Sequence, residues 1–189
     1  MSKSVSALGG ASVTGAYIGI EEVGPLGQMT LRGDVGGAAM AALMLELTSS
    51  TVPDQLQVVA KGDNRVVWMS PDELLVILPR DGVAPAVART GEVLGKAHHM
   101  ALDVSDARAL IRLSGAHVGE VLAKGVPCDV SEKAFPPGTA RRTHLAGLAV
   151  GLWRVSPDQW EVVCFRSYAH HLVAWLEQAA TPGSQVGWA

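Results

Sequence analysis

The pattern of apolar and polar positions predicts short strands interleaved with four amphipathic helices. Alternating or continuous apolar runs predict strands at 28–32, 56–60, 65–69, 74–78, 100–104, 108–113, 142–145, 148–155 and 160–165. Apolar residues at helical spacing predict a helix that starts at Gly33-Asp34, with a buried face of Ala39, Met40, Leu43, Met44 and Leu47. Further helices are predicted from Pro85 to Lys96, from Gly115 to Gly125, and after Ser167 as the capping residue.

Two features of this pattern occur twice. Ser70-Pro71-Asp72 and Ser156-Pro157-Asp158 are turns 86 residues apart, each preceded by a tryptophan and followed by an apolar strand. Leu31-Arg32-Gly33 and Leu113-Ser114-Gly115 precede two of the predicted helices, 82 residues apart. Similar offsets at separate positions indicate an internal duplication.

The duplication defines the predicted domain organisation. Residues 1–16 are expected to be a flexible tail, 17–98 a first α/β repeat, 99–181 a second repeat and 182–189 a C-terminal tail. The two repeats are expected to form one compact domain. Each repeat runs strand, helix, several strands, helix, which predicts an α+β fold of antiparallel sheets covered by helices.

Composition narrows the classes of partner. Charged residues make up 17% of the chain and the mean hydropathy is +0.24. No apolar run approaches the roughly 20 residues that span a bilayer, so the apolar surplus is expected in the core or at a protein interface. A net charge of −3 gives no reason to expect nucleic acid. The N-terminus lacks a hydrophobic signal region, which predicts the cytoplasm.

The local motifs predict no catalytic, cofactor-binding or metal-binding residue. A Rossmann turn, a phosphate-binding loop and a nucleophile elbow are all missing from the sequence. The adjacent pairs His98-His99 and His170-His171 cannot direct two rings at one metal, and surface histidines are the favoured interpretation. Cys128 has no neighbouring base that would lower its pKa, so a small apolar residue is favoured over a reactive thiol.

Two other sets of residues also have structural interpretations. Asp103, Ser105 and Asp106 cluster at a strand end, where turn capping is favoured over chemistry. The tryptophans recur with the repeats and are interpreted as core residues rather than a cofactor cage, namely Trp68, Trp153, Trp160 and Trp175.

The segment from Asp103 to His117 reads Asp-Val-Ser-Asp-Ala-Arg-Ala-Leu-Ile-Arg-Leu-Ser-Gly-Ala-His. It resembles the start of the folate-binding domain of aminomethyltransferases, the T-proteins of the glycine cleavage system. Together with Ala134-Phe135-Pro136-Pro137-Gly138 and the Leu-Trp-Arg-Val strand, the chain from Val23 to Ala180 resembles the gamma subunits of heterotetrameric sarcosine oxidases.

This resemblance implies an aminomethyltransferase-like fold in a non-catalytic subunit of a complex. The complexes of that family oxidise sarcosine to glycine and hydrogen peroxide and form 5,10-methylenetetrahydrofolate or formaldehyde. The resemblance implies alpha, beta and delta subunits as partners. FAD, FMN, NAD and tetrahydrofolate are expected in those partners and no cofactor in this chain.

A departure from the aminomethyltransferase pattern concerns the catalytic carboxylate. Those enzymes carry acidic residues just before the strand that here reads Gly151-Leu152-Trp153-Arg154, and one of them serves the reacting amine. This chain has Leu148-Ala149-Val150 instead. Because apolar side chains neither transfer a proton nor stabilise a developing cation, a scaffold role is expected.

A free-standing folate-binding protein of the aminomethyltransferase type is the rival interpretation. It would serve one-carbon transfer or iron–sulfur assembly. The assembly helpers carry a Lys-Gly-Cys-Tyr type of motif. Here Lys124-Gly125-Val126-Pro127-Cys128 displaces the cysteine by two residues and lacks the aromatic residue, which weakens this alternative.

Overall fold

The computed structural model describes residues 5–14 and 17–187. The chain divides into two compact units, which are named here for their places in the sequence. The central unit is Pro25–Asp106, and the flanking unit combines Met1–Gly24 with Ala107–Ala189. Residues 1–4, 15 and 16 of the predicted flexible tail, and 188–189 of the predicted C-terminal tail, lie outside the described residues.

In chain order the elements are β1 (Ser12–Thr14), β2 (Gly19–Val23), β3 (Gly27–Arg32), α1 (Ala38–Thr48), β4 (Val58–Lys61), β5 (Asn64–Ser70), β6 (Glu73–Leu78), α2 (Val83–Leu94), β7 (Met100–Asp103), β8 (Arg108–Ser114), α3 (Val118–Ala123), β9 (Ala140–Leu145), β10 (Leu148–Ser156), β11 (Gln159–Phe165) and α4 (Ala169–Ala179). Short 3₁₀ turns, Arg80–Gly82 and Arg166–Tyr168, precede α2 and α4.

Each unit contains one antiparallel sheet. The order in the central unit is β4-β5-β6-β3-β7, and in the flanking unit it is β1-β2-β8-β11-β10-β9. In the central unit α1 and α2 pack on one face, and in the flanking unit α3 and α4 do so. The predicted α+β class with antiparallel sheets covered by helices is therefore confirmed.

The compact units differ in their boundaries from the predicted repeats because two strands pair outside their own repeat. β2 precedes the first repeat's helices but pairs with β8, and β7 begins the predicted second repeat but pairs with β3. A pattern of apolar residues marks a strand but does not identify its partner. The structure also places β1 within residues 1–16, which the sequence predicts as a flexible tail, and pairs it with β2.

Two helices begin later than their predicted starts. Gly33 and Gly115 have φ angles of 157° and 121°, which are not helical, and α1 and α3 begin only at Ala38 and Val118. Gly37 is the residue before α1 and not part of the helix. This agrees with the entropic cost of fixing glycine in a helical conformation. Ser167 lies in a 3₁₀ turn and makes no side-chain cap for α4.

The two repeated sequence features contact each other in both units. The amide of Gly33 donates to the carbonyl of Asp72 at 3.0 Å, and the amide of Gly115 donates to the carbonyl of Asp158 at 2.9 Å. Each hairpin also has a register shift just before its turn, between residues 68 and 70 and between residues 154 and 156. The duplication is thus visible in the backbone of both hairpins.

The tryptophans that precede the two turns are not structurally equivalent. Trp68 pairs with Leu74 across its hairpin, whereas Arg154 pairs with Trp160 at the corresponding place. Trp153 and Trp160 are buried as expected of core residues, while Trp68 and Trp175 are half-buried. The repeat therefore preserves the turn and not the tryptophan.

Candidate functional site

Leu148-Ala149-Val150, the segment that the sequence resemblance places at the aminomethyltransferase acid, lies at the start of β10. A two-residue turn, Ala146-Gly147, connects β9 to β10, and both residues have positive φ, as type I′ hairpins require. Leu148 follows the turn, pairs with Leu145 and packs half-buried against the core of the flanking unit. Ala149 is exposed. The apolar segment expected from the sequence thus provides one core contact, Leu148, and one solvent-facing methyl group, Ala149.

Arg154 is a deeply buried cation in the β10–β11 hairpin, and no pattern in the sequence indicates a role for it. Its side chain is 9% exposed. The guanidinium donates to the carbonyl oxygens of Phe135 at 3.1 Å and Pro157 at 2.8 Å, and it stacks on the ring of Trp160. Because its two terminal nitrogens donate to backbone carbonyls, Arg154 holds the proline-rich loop and the turn together, while its Nε has no hydrogen-bond partner among the described residues.

A cavity of about 270 Å³ adjoins Arg154 in the flanking unit. Its lining includes His117, Glu120, Ser131, Glu132 and Trp160. Among these, Glu120 accepts from the Tyr17 hydroxyl and, at 2.7 Å, from the amide of Val186. The polar groups of this cavity therefore make structural bonds within the unit.

The Tyr17–Glu120 contact shifts the titration of both groups. Burial, followed by the hydrogen bond to Glu120, raises the pKa of Tyr17 to about 12. The hydrogen bond from Tyr17, followed by that from the Val186 amide, lowers the pKa of Glu120 below its usual range. A carboxylate that is held ionised in this way is a poor general base near neutral pH.

A second buried carboxylate lies on the other face of the flanking sheet. Glu161 is 1% exposed and accepts from Nε1 of Trp153 at 2.7 Å, and it pairs with Arg112 at 3.3 Å. In the sequence, Glu161 is a single acidic residue in an apolar strand. Its burial could be predicted only if both faces of that strand were known to be covered. Its partners orient the indole ring and balance its charge.

The central unit contains a cavity of about 580 Å³ beside its Ser-Pro-Asp turn. Arg32, Asp72, His98 and His99 line it together with apolar side chains. The Arg32 guanidinium lies 2.5 Å from Glu73 and 3.7 Å from Asp72, so its charge is balanced by these carboxylates. Both adjacent histidines line this cavity, and His98 is exposed and His99 half-buried, which agrees with the interpretation as surface or interface histidines.

The remaining sequence candidates fall in structural roles. His170 and His171 are exposed on α4. Cys128 is half-buried and packs against the core of the flanking unit, as a small apolar residue would. The other cysteine, Cys164, is buried, and burial raises its pKa to about 11, which disfavours the thiolate. The Asp103 carboxylate accepts from the amide and the hydroxyl of Ser105, which is the turn-capping arrangement that the sequence favours.

The described residues contain neither a metal-binding group of side chains nor a membrane-spanning helix. Within residues 5–14 and 17–187, no three His, Cys, Asp or Glu side chains are grouped so that they could hold a metal ion. None of the helices in the described part of the chain is long and apolar enough to cross a membrane.

Comparison with known proteins identifies a family. The model of the sarcosine oxidase, gamma subunit family matches residues 32–182. The sarcosine oxidase subunit gamma of Corynebacterium sp. (strain P-1) is 33% identical over 168 residues, which cover 88% of this chain and 81% of that protein.

Solved structures show the same relationship. A chain of the heterotetrameric sarcosine oxidase from Corynebacterium sp. U-96, solved in complex with pyrrole 2-carboxylate, superposes with a TM-score of 0.80 and 27% identity. The match covers 94% of this chain and 91% of that chain. The glycine cleavage system aminomethyltransferase T from Bartonella henselae has a TM-score of 0.59 and 10% identity, covering 86% of this chain and 46% of that one. This second likeness shows the fold alone.

Proposed function

Because the chain belongs to the sarcosine oxidase gamma subunit family, we propose that it serves its complex as a structural subunit and contributes no catalytic group. The proposed partners are the alpha, beta and delta subunits of a cytoplasmic sarcosine oxidase. In this proposal FAD, FMN, NAD and tetrahydrofolate are bound by those partners. The complex demethylates sarcosine oxidatively to glycine.

The observation that carries the proposal is the packing of Leu148. The side chain at the position of the aminomethyltransferase acid contacts the core of the flanking unit, and its neighbour Ala149 presents only a methyl group to solvent. Neither residue can accept a proton from an amine or stabilise an iminium cation. This position therefore favours a scaffold role.

The rival interpretation, a free-standing folate-binding protein, is not favoured by the family match. Lys124, in the segment that is compared with the Lys-Gly-Cys-Tyr motif of the assembly helpers, also has a structural role. Lys124 donates through Nζ to the Ala179 carbonyl at 2.6 Å and to the Ser184 hydroxyl at 2.9 Å. It thereby fixes the end of α4 to the segment that follows.

Co-expression with affinity-tagged large subunits tests the proposal. We expect this chain to co-purify with them in equal amounts, and the flavin absorbance to stay with the large subunits when the complex is dissociated. A chain that purifies alone with stoichiometric flavin, or that fails to associate with any large subunit, would contradict the proposal.

A further inference from the structure

The two sheets differ at one edge in a way that suggests a docking site. In the flanking unit, β2 occupies the position that β7 occupies in the central unit, because β2 pairs with β8, the strand before α3, and β7 pairs with β3, the strand before α1. β1 adds antiparallel to the outer side of β2, through Ser12↔Glu21, Val13↔Ile20 and Thr14↔Gly19. Among the described residues, no strand occupies the outer side of β7.

The outer edge of β7 means here the side of Met100–Asp103 that faces away from β3. Val104 donates to the Gln28 carbonyl, so alternate residues of this strand, Leu102 and Met100, also direct their backbone groups towards β3. The backbone groups of Ala101 and Asp103 therefore point away from the sheet. They provide the donors and acceptors that an added strand needs.

This edge is short and ends with the exposed Asp103, but it exposes more large apolar side chains than the edges formed by β4 and β9. The edge strand β9 carries Arg141, Arg142 and His144, and β4 ends with the exposed Lys61. β7 instead exposes two large apolar side chains, Met100 at 42% and Leu102 at 53%. A sheet edge that exposes large apolar side chains is expected where another chain covers it.

We infer that the outer edge of β7 receives an extended, antiparallel segment from another subunit of the complex, with apolar side chains against Met100 and Leu102. This inference rests on the proposed function and specifies its interface. The pairing of β1 with β2 supports an extended occupant, because the equivalent slot of this same fold accepts a short added strand.

The described segments near the two ends of this chain are bonded elsewhere. The amides of Leu8 and Gly10 donate to Glu22, and the amide of Val186 donates to Glu120, all within the flanking unit. The oxidase that the chain resembles is a heterotetramer, which provides different subunits as sources of the segment. A second copy of this chain is the competing occupant.

A matched pair of proline variants tests the inference. Ala101→Pro removes an outward amide at the β7 edge, whereas Ala60→Pro removes an outward amide of β4 on the opposite edge of the same sheet. In co-expression with the tagged large subunits, we expect Ala101→Pro to reduce the recovered complex about tenfold or more, and Ala60→Pro to leave it near wild type. Equal recovery of both variants would overturn the inference.

Hydrogen exchange on the wild-type protein decides the question even if Ala101→Pro does not fold. The amides of Ala101 and Asp103 should exchange markedly more slowly in the complex than in the free chain, while the Ala60 amide exchanges alike in both. Unchanged exchange at the β7 edge within an intact complex would reject the docking site and leave the proposed function standing. A homodimer of the free chain that Ala101→Pro abolishes would assign the edge to a second copy and would also reject it.

Discussion

The Ser-Pro-Asp hairpins of the two units share a backbone and differ in how they place charge. In the central unit, Arg32 comes from the neighbouring strand and forms a half-exposed ion pair with Glu73. In the flanking unit, Arg154 lies within the hairpin, is buried, and binds the carbonyls of Phe135 and Pro157. The duplication thus conserves a turn and a glycine-to-carbonyl hydrogen bond, while the side chains around them have diverged.

The difference indicates where stability is concentrated. In the central hairpin the Glu73 carboxylate is buried but its partner Arg32 is half-exposed, so solvent and salt screen the pair on that side. The buried Arg154 guanidinium is costly to remove, because the carbonyls of Phe135 and Pro157 would each lose a donor. We therefore expect the flanking hairpin to be the more sensitive of the two to substitution.

Arg154→Ala should have the largest effect. Removing the side chain leaves the Phe135 carbonyl without its donor and removes the stack on Trp160, which should cost about 3 kcal/mol of unfolding free energy. Arg154→Lys keeps the charge but loses the two-pronged geometry, so about half of that loss is expected. Denaturant unfolding followed by tryptophan fluorescence measures both variants, and a loss below about 1 kcal/mol for Arg154→Ala would contradict this role.

The matched glycines test the shared backbone. Gly115 has a φ of 121° and should lose about 2 kcal/mol on change to Ala, since a side chain is strained in that conformation. Gly33 has a φ of 157°, closer to an extended strand, and the same change should cost less. Thermal unfolding of the two variants ranks them. Equal or reversed effects would show that the difference in φ does not determine the loss of stability.

The hairpin turns before the two repeated turns offer a smaller contrast. The central unit places Gly62 at positive φ, whereas the flanking unit places Ala146 there, with a φ of 52°. Ala146→Gly should therefore stabilise the chain by about 0.5 kcal/mol, the relief of left-handed strain being partly offset by chain entropy. A rise of the unfolding midpoint confirms the expectation, and a fall shows that the methyl group makes contacts that outweigh its strain.

The loss of stability at acidic pH should depend more on the buried carboxylate of Glu120 than on the exposed carboxylate of Asp72. The pKa of Glu120 is lowered in the fold, so its stabilising contribution is present above its unfolded pKa and is lost as the pH falls through its folded pKa. The pKa of Asp72 is lowered by the Ser70 hydroxyl and then by Arg32, but solvent surrounds this carboxylate. Between about pH 7 and about pH 3, Glu120→Gln should flatten the fall of the unfolding midpoint more than Asp72→Asn does. The reverse order would contradict the assignment.

The sequence predicts most of the strands and helices because their apolar residues recur at the spacing of each element, as at Leu172, Val173 and Leu176 of α4. It does not predict that β7 joins the first repeat's sheet, since strand partners depend on long-range packing. The buried roles of Arg154 and Glu161 are also missed, because a single charged residue in an apolar run is normally expected to face solvent. The apolar position at Leu148 is visible in the sequence only through the resemblance, and the structure adds that its neighbour Ala149 is exposed.

Turnover per assembled complex tests the scaffold role most directly. Leu148→Asn places an amide against the core and should lower stability by about 1–2 kcal/mol, whereas Ala149→Asn lies in solvent and should change it by less than about 0.5 kcal/mol. Both complexes, measured as sarcosine oxidised per bound flavin, should retain the wild-type rate, with less complex recovered for Leu148→Asn. A loss of about a hundredfold in turnover with full assembly, the size expected for an acid–base group, would instead place a working site in this chain.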